Sequence, residues 1–346
     1  MKKIAYLTGT RAEFGLMQII LTKIDKDQDW QLILLATGMH LLSEFGKTIN
    51  EVKSVFPQVK LINATYKEDT RLSMAEFLGQ CTTKTSQILG KLKPDLVLVL
   101  GDRAEQLAMA QTAAYLAIPV IHLHGGETTT TIDDKTRNAI SMLADWHLPA
   151  TKTAAEKLIK MGIDTKKIQI VGAPGLDQVK NLPKKPKDCL VILQHPDANE
   201  GDAPNQIRKT LEAALTFNLP IKVIYPNADA GGRSMIKVIN QYRSRVKIYP
   251  SLKRQDFLQL LSRAKALIGN SSAGLIEAPS LGLMVVNIGP RQSGRERAGN
   301  IIDADYDKDK IIQAIKLALL RKTFSGHNPY GDGRTSKRVL KFLNQI

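Results

Sequence analysis

The stretch with the greatest chemical capability is His122-Leu123-His124-Gly125-Gly126-Glu127, followed after four threonines by Ile132-Asp133-Asp134-Lys135-Thr136-Arg137. It places imidazole and carboxylate groups on what reads as a flexible turn, the set that proton transfer at a carbon centre requires. Alternation along a strand puts His122 and His124 on one side, which leaves one of them open to a purely structural role. His124, Glu127 and Asp133 are also conceivable ligands for a divalent metal, but neither H-x-x-x-H nor H-E-x-x-H spacing is present and no metal is expected.

Three further groups complete the set. Asp102 in Gly101-Asp102-Arg103 directly follows an apolar run, where partial desolvation would raise a carboxyl pKa; the alternative is a helix cap. His195 in Gln194-His195-Pro196-Asp197 occupies an equivalent strand end in the second half of the chain. Anion-binding chemistry is offered by Gly269-Asn270-Ser271-Ser272-Ala273-Gly274, a small-residue turn whose backbone N–H groups and following helix suit a phosphate, with an ordinary serine cap as the competing reading. Arg11 in Gly9-Thr10-Arg11-Ala12-Glu13, and Arg291, Arg295 and Arg297, supply planar forks for a diphosphate; an ion pair of Arg11 with Glu13 is the alternative. Neither G-x-x-x-x-G-K-[ST] nor G-x-G-x-x-G occurs, which disfavours ATP and NAD, and no cofactor is expected.

All these groups sit at the ends of short apolar runs, and those runs alternate with helix-length segments. Strands are expected at 4–8, 32–36, 59–64, 96–100, 120–123 and 168–171, with helices at 16–24, 41–55, 73–92, 104–116 and 139–145. The rhythm breaks at prolines and lysines over 173–188 and resumes with strands at 189–194, 221–225, 246–249, 266–268 and 284–288. Helices at 205–217, 235–243, 255–264 and 275–281 lie between them. The pattern is α/β: two doubly wound, Rossmann-like domains, 1–172 and 189–333, joined by a linker at 173–188 and facing a cleft at the carboxyl ends of their strands.

Composition narrows the classes. Two well-separated cysteines among 346 residues give no disulfide framework and fit a reducing, cytoplasmic setting. No apolar run nears the roughly 20 residues of a membrane span. A net charge of +16 raises a nucleic-acid reading, but the basic residues are dispersed and aromatics make up only 5%. An anionic small substrate explains the surplus; neither nucleic acid nor membrane is expected as a partner.

The motifs G-T-R-A-E, G-D-R, H-G-G-E with I-D-D-K-T-R, and G-N-S-S-A-G-L-I-E-A-P-S-L-G resemble, in the same order along nearly the whole chain, those of the hydrolysing UDP-N-acetylglucosamine 2-epimerases. The resemblance implies a glycosyltransferase-B-like fold, with a C-terminal helix at 334–346 crossing back to the first domain. It implies the conversion of UDP-GlcNAc and water to N-acetylmannosamine and UDP, through UDP elimination to a glycal and rehydration. By motif, Asp102 and Asp133 resemble the acid/base carboxylates; Arg11, Ser271, Ser272 and Arg295 the diphosphate contacts; Glu277 the ribose acceptor; Phe257 an apolar uridine contact; and His195 and His40 polar cleft positions. His124 stands where some relatives carry a catalytic glutamate, so either His124 or Glu127 moves the proton, and Asn138 replaces a histidine common in relatives. The expected partner is a UDP-sugar, with further copies of the chain in a homodimer or homotetramer. The same reaction on UDP-2,4-diacetamido-2,4,6-trideoxyglucose, feeding legionaminic acid, is the nearest alternative; a glycosyltransferase sharing the nucleotide grip and a non-catalytic sensor are the others.

Overall fold

The computed structural model describes residues 1–129, 131–179, 182, 186–197 and 202–346. Thr130 of the threonine run and residues 180, 181 and 183–185 of the expected linker lie outside the described residues.

Six strands form the first sheet: β1 (Lys2–Thr8), β2 (Trp30–Ala36), β3 (Lys60–Leu61), β4 (Leu96–Leu100), β5 (Val120–Leu123) and β6 (Trp146–Leu148), all parallel, in the order β3-β2-β1-β4-β5-β6. The second sheet repeats the plan with β7 (Cys189–Leu193), β8 (Ile221–Ile224), β9 (Lys247–Tyr249), β10 (Ala264–Gly269), β11 (Met284–Ile288) and β12 (Ile301–Ala304), in the order β12-β11-β10-β7-β8-β9. Both sheets have the doubly wound order in which the chain reverses direction between the first and fourth strands, and ligands bind at that reversal. Gly9 to Arg11 and Asp102 flank the reversal in the first sheet; His195 and Ser271 flank it in the second.

The two-faced burial of each sheet follows from the continuous apolar strands. In β1, Ile4 and Tyr6 enter one core while Ala5 and Leu7 enter the core on the opposite face. In β7, Leu190 and Ile192 divide from Val191 and Leu193 in the same way. Each fully buried leucine or isoleucine contributes roughly 1.5–3 kcal/mol, and none of those strands could be turned to solvent without losing it.

Helices cover both faces: α1 (Arg11–Asp25), α2 (Ile49–Val55), α3 (Arg71–Leu92), α4 (Ala104–Tyr115), α5 (Ile132–Leu143) and α6 (Lys152–Lys160) in the first half. The second half carries α7 (Ala203–Ala214), α8 (Gly232–Gln241), α9 (Arg254–Ser262), the single turn α10 (Ala273–Ile276), α11 (Lys308–Arg321) and α12 (Thr335–Leu343). The first helix begins where the Thr10 hydroxyl accepts a hydrogen bond from the Glu13 amide (3.2 Å). Such a cap satisfies an amide that the helix itself leaves unpaired. Phe14, Met17, Leu21 and Ile24 form the buried stripe of α1. The last helix, α12, packs on the first domain: Val339, Phe342 and Leu343 join the core of Ile4, Phe14 and Met17, and Lys23 donates to the Ser336 hydroxyl (3.0 Å).

Several local expectations are corrected. Residues 168–171 make only a single bridge, Ile168 to His147, beside β6, a strand too short and too rich in His and Trp to read from periodicity. The expected helix at 41–55 is two tight turns followed by α2, because Gly46 takes a left-handed conformation (φ +90°) that ends the second turn. The helix α5 starts at Ile132 rather than 139, so the carboxylates Asp133 and Asp134 sit on a helix's first turn and not on a flexible one.

Two buried histidines fasten the sheet to its surroundings. His122 Nε2 donates to the Gly101 carbonyl (2.8 Å) and its Nδ1 accepts from Ser141 (3.0 Å); burial pushes its pKa down to about 3. His40 lies between Thr8 (3.0 Å) and Thr48 (2.7 Å), also lowered to about 3 by burial and by Arg11. In the unfolded chain both would titrate near 6.5, so the unfolded state takes up protons first as pH falls. Stability is therefore full above pH 6.5 and is lost on descending toward 3, by about 3 kcal/mol per histidine at pH 4. Thermal melts from pH 8 to 4 check this: Tm declines across that window, and His40→Gln flattens the decline.

Candidate functional site

The loops after β1, β4, β5, β7 and β10 enclose one cavity of about 330 Å³ between the domains. That is large enough for a nucleotide-sized ligand. Arg11, Asp102, His124, Asp133, His195, Phe257, Ser271, Ser272, Glu277 and Arg295 all line it, so the structure brings together ten of the twelve positions named from sequence. His40 is not among them; it is fully buried, with both ring nitrogens held by threonine hydroxyls. Glu127 is also absent from the cavity wall and lies behind His124.

The turn after β10 depends on Gly269. Its φ is +134°, and a Cβ there would lie 2.1 Å from the Leu193 carbonyl oxygen, where β10 presses against the end of β7. Only a residue without a side chain fits such a place. Asn270 then accepts from the His195 amide (2.7 Å) and donates to the His195 carbonyl (3.0 Å), locking the two strand ends together. The helix α10 is only four residues long, so any anion attraction here comes from local amides and arginines and not from a long helix dipole. Ser272 makes no cap bond with its side chain, and Ser271 makes only a long one to the Ala273 amide (3.4 Å); the simple-cap reading accounts for little of this pair.

Charge is arranged across the cleft in pairs. Arg137 from α5, almost wholly buried, and Arg295 from the second domain both face the Asp102 carboxylate, Arg295 at 3.7 Å. Arg295 also meets Glu127 (3.1 Å), and Arg291 meets Asp133 (3.4 Å). The apolar surroundings expected for Asp102 are thus replaced by two guanidiniums. Arg297, by contrast, pairs with Asp303 (2.6 Å) on the exposed side and is not on the cavity wall. Arg11 pairs with Glu51 (2.5 Å), not with Glu13. Glu13 is buried, accepting from the Tyr6 hydroxyl (2.6 Å) and the Gly9 amide (3.1 Å), and burial and the nearby Glu105 raise its pKa.

The two imidazoles are held in opposite tautomers. His124 Nδ1 lies 3.0 Å from a Glu127 oxygen. Burial alone would raise the Glu127 pKa, but Arg295 and then His124 hold it down to about 2, so it is an acceptor only. In the neutral ring Nδ1 therefore carries the hydrogen and Nε2 the lone pair that can accept a proton. His195 is reversed: its Nδ1 accepts from the Asn227 amide (3.1 Å), so Nε2 carries the hydrogen. Burial, then Arg291 and Arg103, push its pKa down to about 3, making it a neutral donor.

His124 occupies a left-handed backbone conformation (φ +63°), unusual for a residue with a side chain. The turn packs so tightly that a Cβ on Gly126 would lie 2.1 Å from the Ala154 carbonyl of α6. Tyr330 stacks on the His124 ring at 6.1 Å between centroids, 16° from parallel, so the returning C-terminal segment also shapes the site. Stacked rings of this kind fix one another's orientation. Among the described residues, no group of three or more His, Cys, Asp or Glu is gathered as a metal site would need.

Sequence reasoning misses three arginines and names a fourth without its partner. Arg137 stands within a quoted motif that assigns it no role. Arg103 is tied to Glu105 (2.5 Å), and Arg254 pairs with Glu277 (2.6 Å) while donating to the Gly175 carbonyl (2.8 Å), which fixes the expected ribose acceptor. Arg291 reads only as one of a trio. A basic residue directly after a strand or at a helix start is the available signal, but its partner depends on tertiary approach.

Comparisons with known proteins bear on the family and the fold. The family model described as UDP-N-acetylglucosamine 2-epimerase matches residues 22–344. The chain is 39% identical to the UDP-N,N'-diacetylbacillosamine 2-epimerase (hydrolyzing) of Legionella pneumophila, covering 100% of this chain and 96% of the relative. It is 35% identical to the UDP-N-acetylglucosamine 2-epimerase of Neisseria meningitidis serogroup B, covering 100% and 95%. The solved structure of the Methanocaldococcus jannaschii UDP-GlcNAc 2-epimerase in complex with UDP-GlcNAc and UDP superposes with a TM-score of 0.84 over 99% of this chain and 100% of that one, at 21% identity, which establishes the shared fold.

Because the Gly269 backbone has no room for a methyl group, Gly269→Ala should cost about 2 kcal/mol or more. Urea unfolding would register a lower midpoint with an unchanged m-value.

Proposed function

The chain belongs to the UDP-N-acetylglucosamine 2-epimerase family, and from that premise we propose that it is a hydrolysing 2-epimerase releasing UDP and a free 2-epimerised acetamido sugar. The observation that carries the proposal is the pair of oppositely poised imidazoles, one accepting and one donating, in a cavity lined on one side by carboxylates and on the other by the Ser271-Ser272 turn. The sequence motifs point first to UDP-GlcNAc as substrate. The relative at 39% identity favours UDP-N,N'-diacetylbacillosamine, giving 2,4-diacetamido-2,4,6-trideoxymannose, and the one at 35% keeps UDP-GlcNAc as the second reading.

In this reading the diphosphate rests on Ser271, Ser272 and the arginines Arg11, Arg291 and Arg295, with uridine against Phe257 and the ribose at Glu277. His124 Nε2 takes the C2 proton while the C1–O bond breaks, and UDP departs with the bonding electrons, leaving a C1=C2 glycal. The C2 proton is only weakly acidic, so stabilising the departing phosphate carries much of the barrier. His195 Nε2–H and the arginines supply that stabilisation. Arg291 and Arg295 pair with Asp133 and Asp102 respectively. As they turn to the phosphate they loosen their hold on those carboxylates. Asp102 then accepts the proton of the water that adds at C1, Asp133, the more exposed of the two, relays a proton from solvent to C2 on the opposite face, and His124 returns the abstracted proton to solvent.

Incubating the protein with each UDP-sugar in deuterated water tests the reaction. NMR should find UDP and a free epimerised sugar carrying deuterium at C2; an intact UDP-sugar epimer as the lasting product would indicate a non-hydrolysing enzyme. Glu127→Gln removes the anion that orients His124, so turnover should drop roughly a hundredfold. UDP affinity should stay within about threefold, because Glu127 does not line the cavity.

A further inference from the structure

The first domain caps a helix of the second. Asp69, in the loop before α3, accepts hydrogen bonds from the Gly231 amide (2.9 Å) and the Ser234 amide (3.1 Å) at the start of α8. Those are the two amides that a capping box satisfies from within its own helix, and Gly231, the cap residue of α8, has no side chain to take the Ser234 amide. Beside it, Arg233 donates to Glu44 through Nε (2.8 Å) and NH2 (2.6 Å), and to the Tyr66 carbonyl (3.2 Å). Apolar contact completes the joint: Ala228 is buried in the first-domain cluster of Phe45, Tyr66 and Phe77, and Ile236 packs against it.

This joint is continuous with the chemistry. The segment from Asn227 to Gly231 leads directly into α8, and its Asn227 amide is the group that fixes the His195 tautomer. The Asn227 side chain donates to Asp229 (2.5 Å), which stiffens the same loop. Holding α8 against the first domain therefore holds the amide that keeps the His195 Nε2 hydrogen aimed into the cavity. It also ties the two walls of the cleft together.

We propose that Asp69, supported by the Glu44–Arg233 pair, is a positioning residue for the reaction, capping α8 across the cleft so that His195 stays oriented and the glycal stays enclosed until water has added. The proposal rests on the hydrolytic reading above. A cleft that opens early would release the glycal, an unsaturated sugar formed once UDP has left and the C2 proton has been taken.

The experiment compares full-length wild type with Asp69→Ala, Asp69→Asn, Glu44→Arg, Arg233→Glu and the double reversal of the last two, each first shown to be folded by its far-UV spectrum. Asp69→Ala should lower kcat by roughly tenfold, keep the UDP dissociation constant within about threefold, and release a larger share of glycal per UDP. Asp69→Asn, which retains one acceptor oxygen, should recover part of the loss, and the double reversal should recover what each single reversal loses. Small-angle scattering in the presence of UDP should give a larger radius of gyration for Asp69→Ala. The proposal is overturned if Asp69→Ala keeps the wild-type glycal share and a kcat within about twofold, or if the double reversal is as impaired as the singles and the radius of gyration is unchanged. If wild type turns over neither sugar, the functional reading fails, while scattering still decides whether Asp69 holds the domains together.

Discussion

Asp102 is faced by an arginine from each domain, and the rest of the site is arranged around that fact. Arg137 is almost wholly buried, and the Glu127 carbonyl takes one of its other N–H groups (3.1 Å). A buried guanidinium is tolerable only beside a carboxylate and hydrogen-bond acceptors, so α5, the turn carrying Glu127, and the end of β4 are constrained to meet. Arg295 reaches the same carboxylate from the second domain and extends the pairing to Glu127, which in turn sets the His124 tautomer. One electrostatic arrangement thus ties together the domain approach, the position of the His124 imidazole and the separation of Asp102 and Asp133 from the Ser271-Ser272 turn.

The division of labour between the sheets follows from their shared strand order. Each sheet supplies two loops at its own reversal, and the loop after β5 adds a fifth. The first sheet presents carboxylates and the accepting histidine; the second presents amides, hydroxyls and the donating histidine. Such a division suits a substrate whose anionic half must be held while the carbon next to it exchanges a proton.

Much of this is legible in the sequence because buried parallel strands are written as unbroken apolar runs. The strand-end positions of Asp102, His195 and Ser271 follow from those runs alone. Legibility stops where an element's identity depends on its neighbours. The edge strand β12 is half-exposed, and α6 and α11 do not stand out among charged residues. His40 reads as a cleft residue through the resemblance of Gly38-Met39-His40 to the family, but its ring turns inward to Thr8 and Thr48 and lies edge-on to Phe14. Glu127 looks equivalent to His124 as a proton carrier; only the fold places one behind the other. Arg254 carries no signal beyond its position at a helix start, because its role comes from Glu277, which is distant in sequence.

The ring of Tyr330 lies against His124, and α12 fills the core around β1. A chain made from its N-terminus therefore completes its second domain before its first. Until the last residues are available, the first sheet lacks part of its core and the accepting imidazole lacks one wall, although every strand of that sheet has long been synthesised. The order of synthesis thus makes the backing of His124 the last part of the cleft to be put in place.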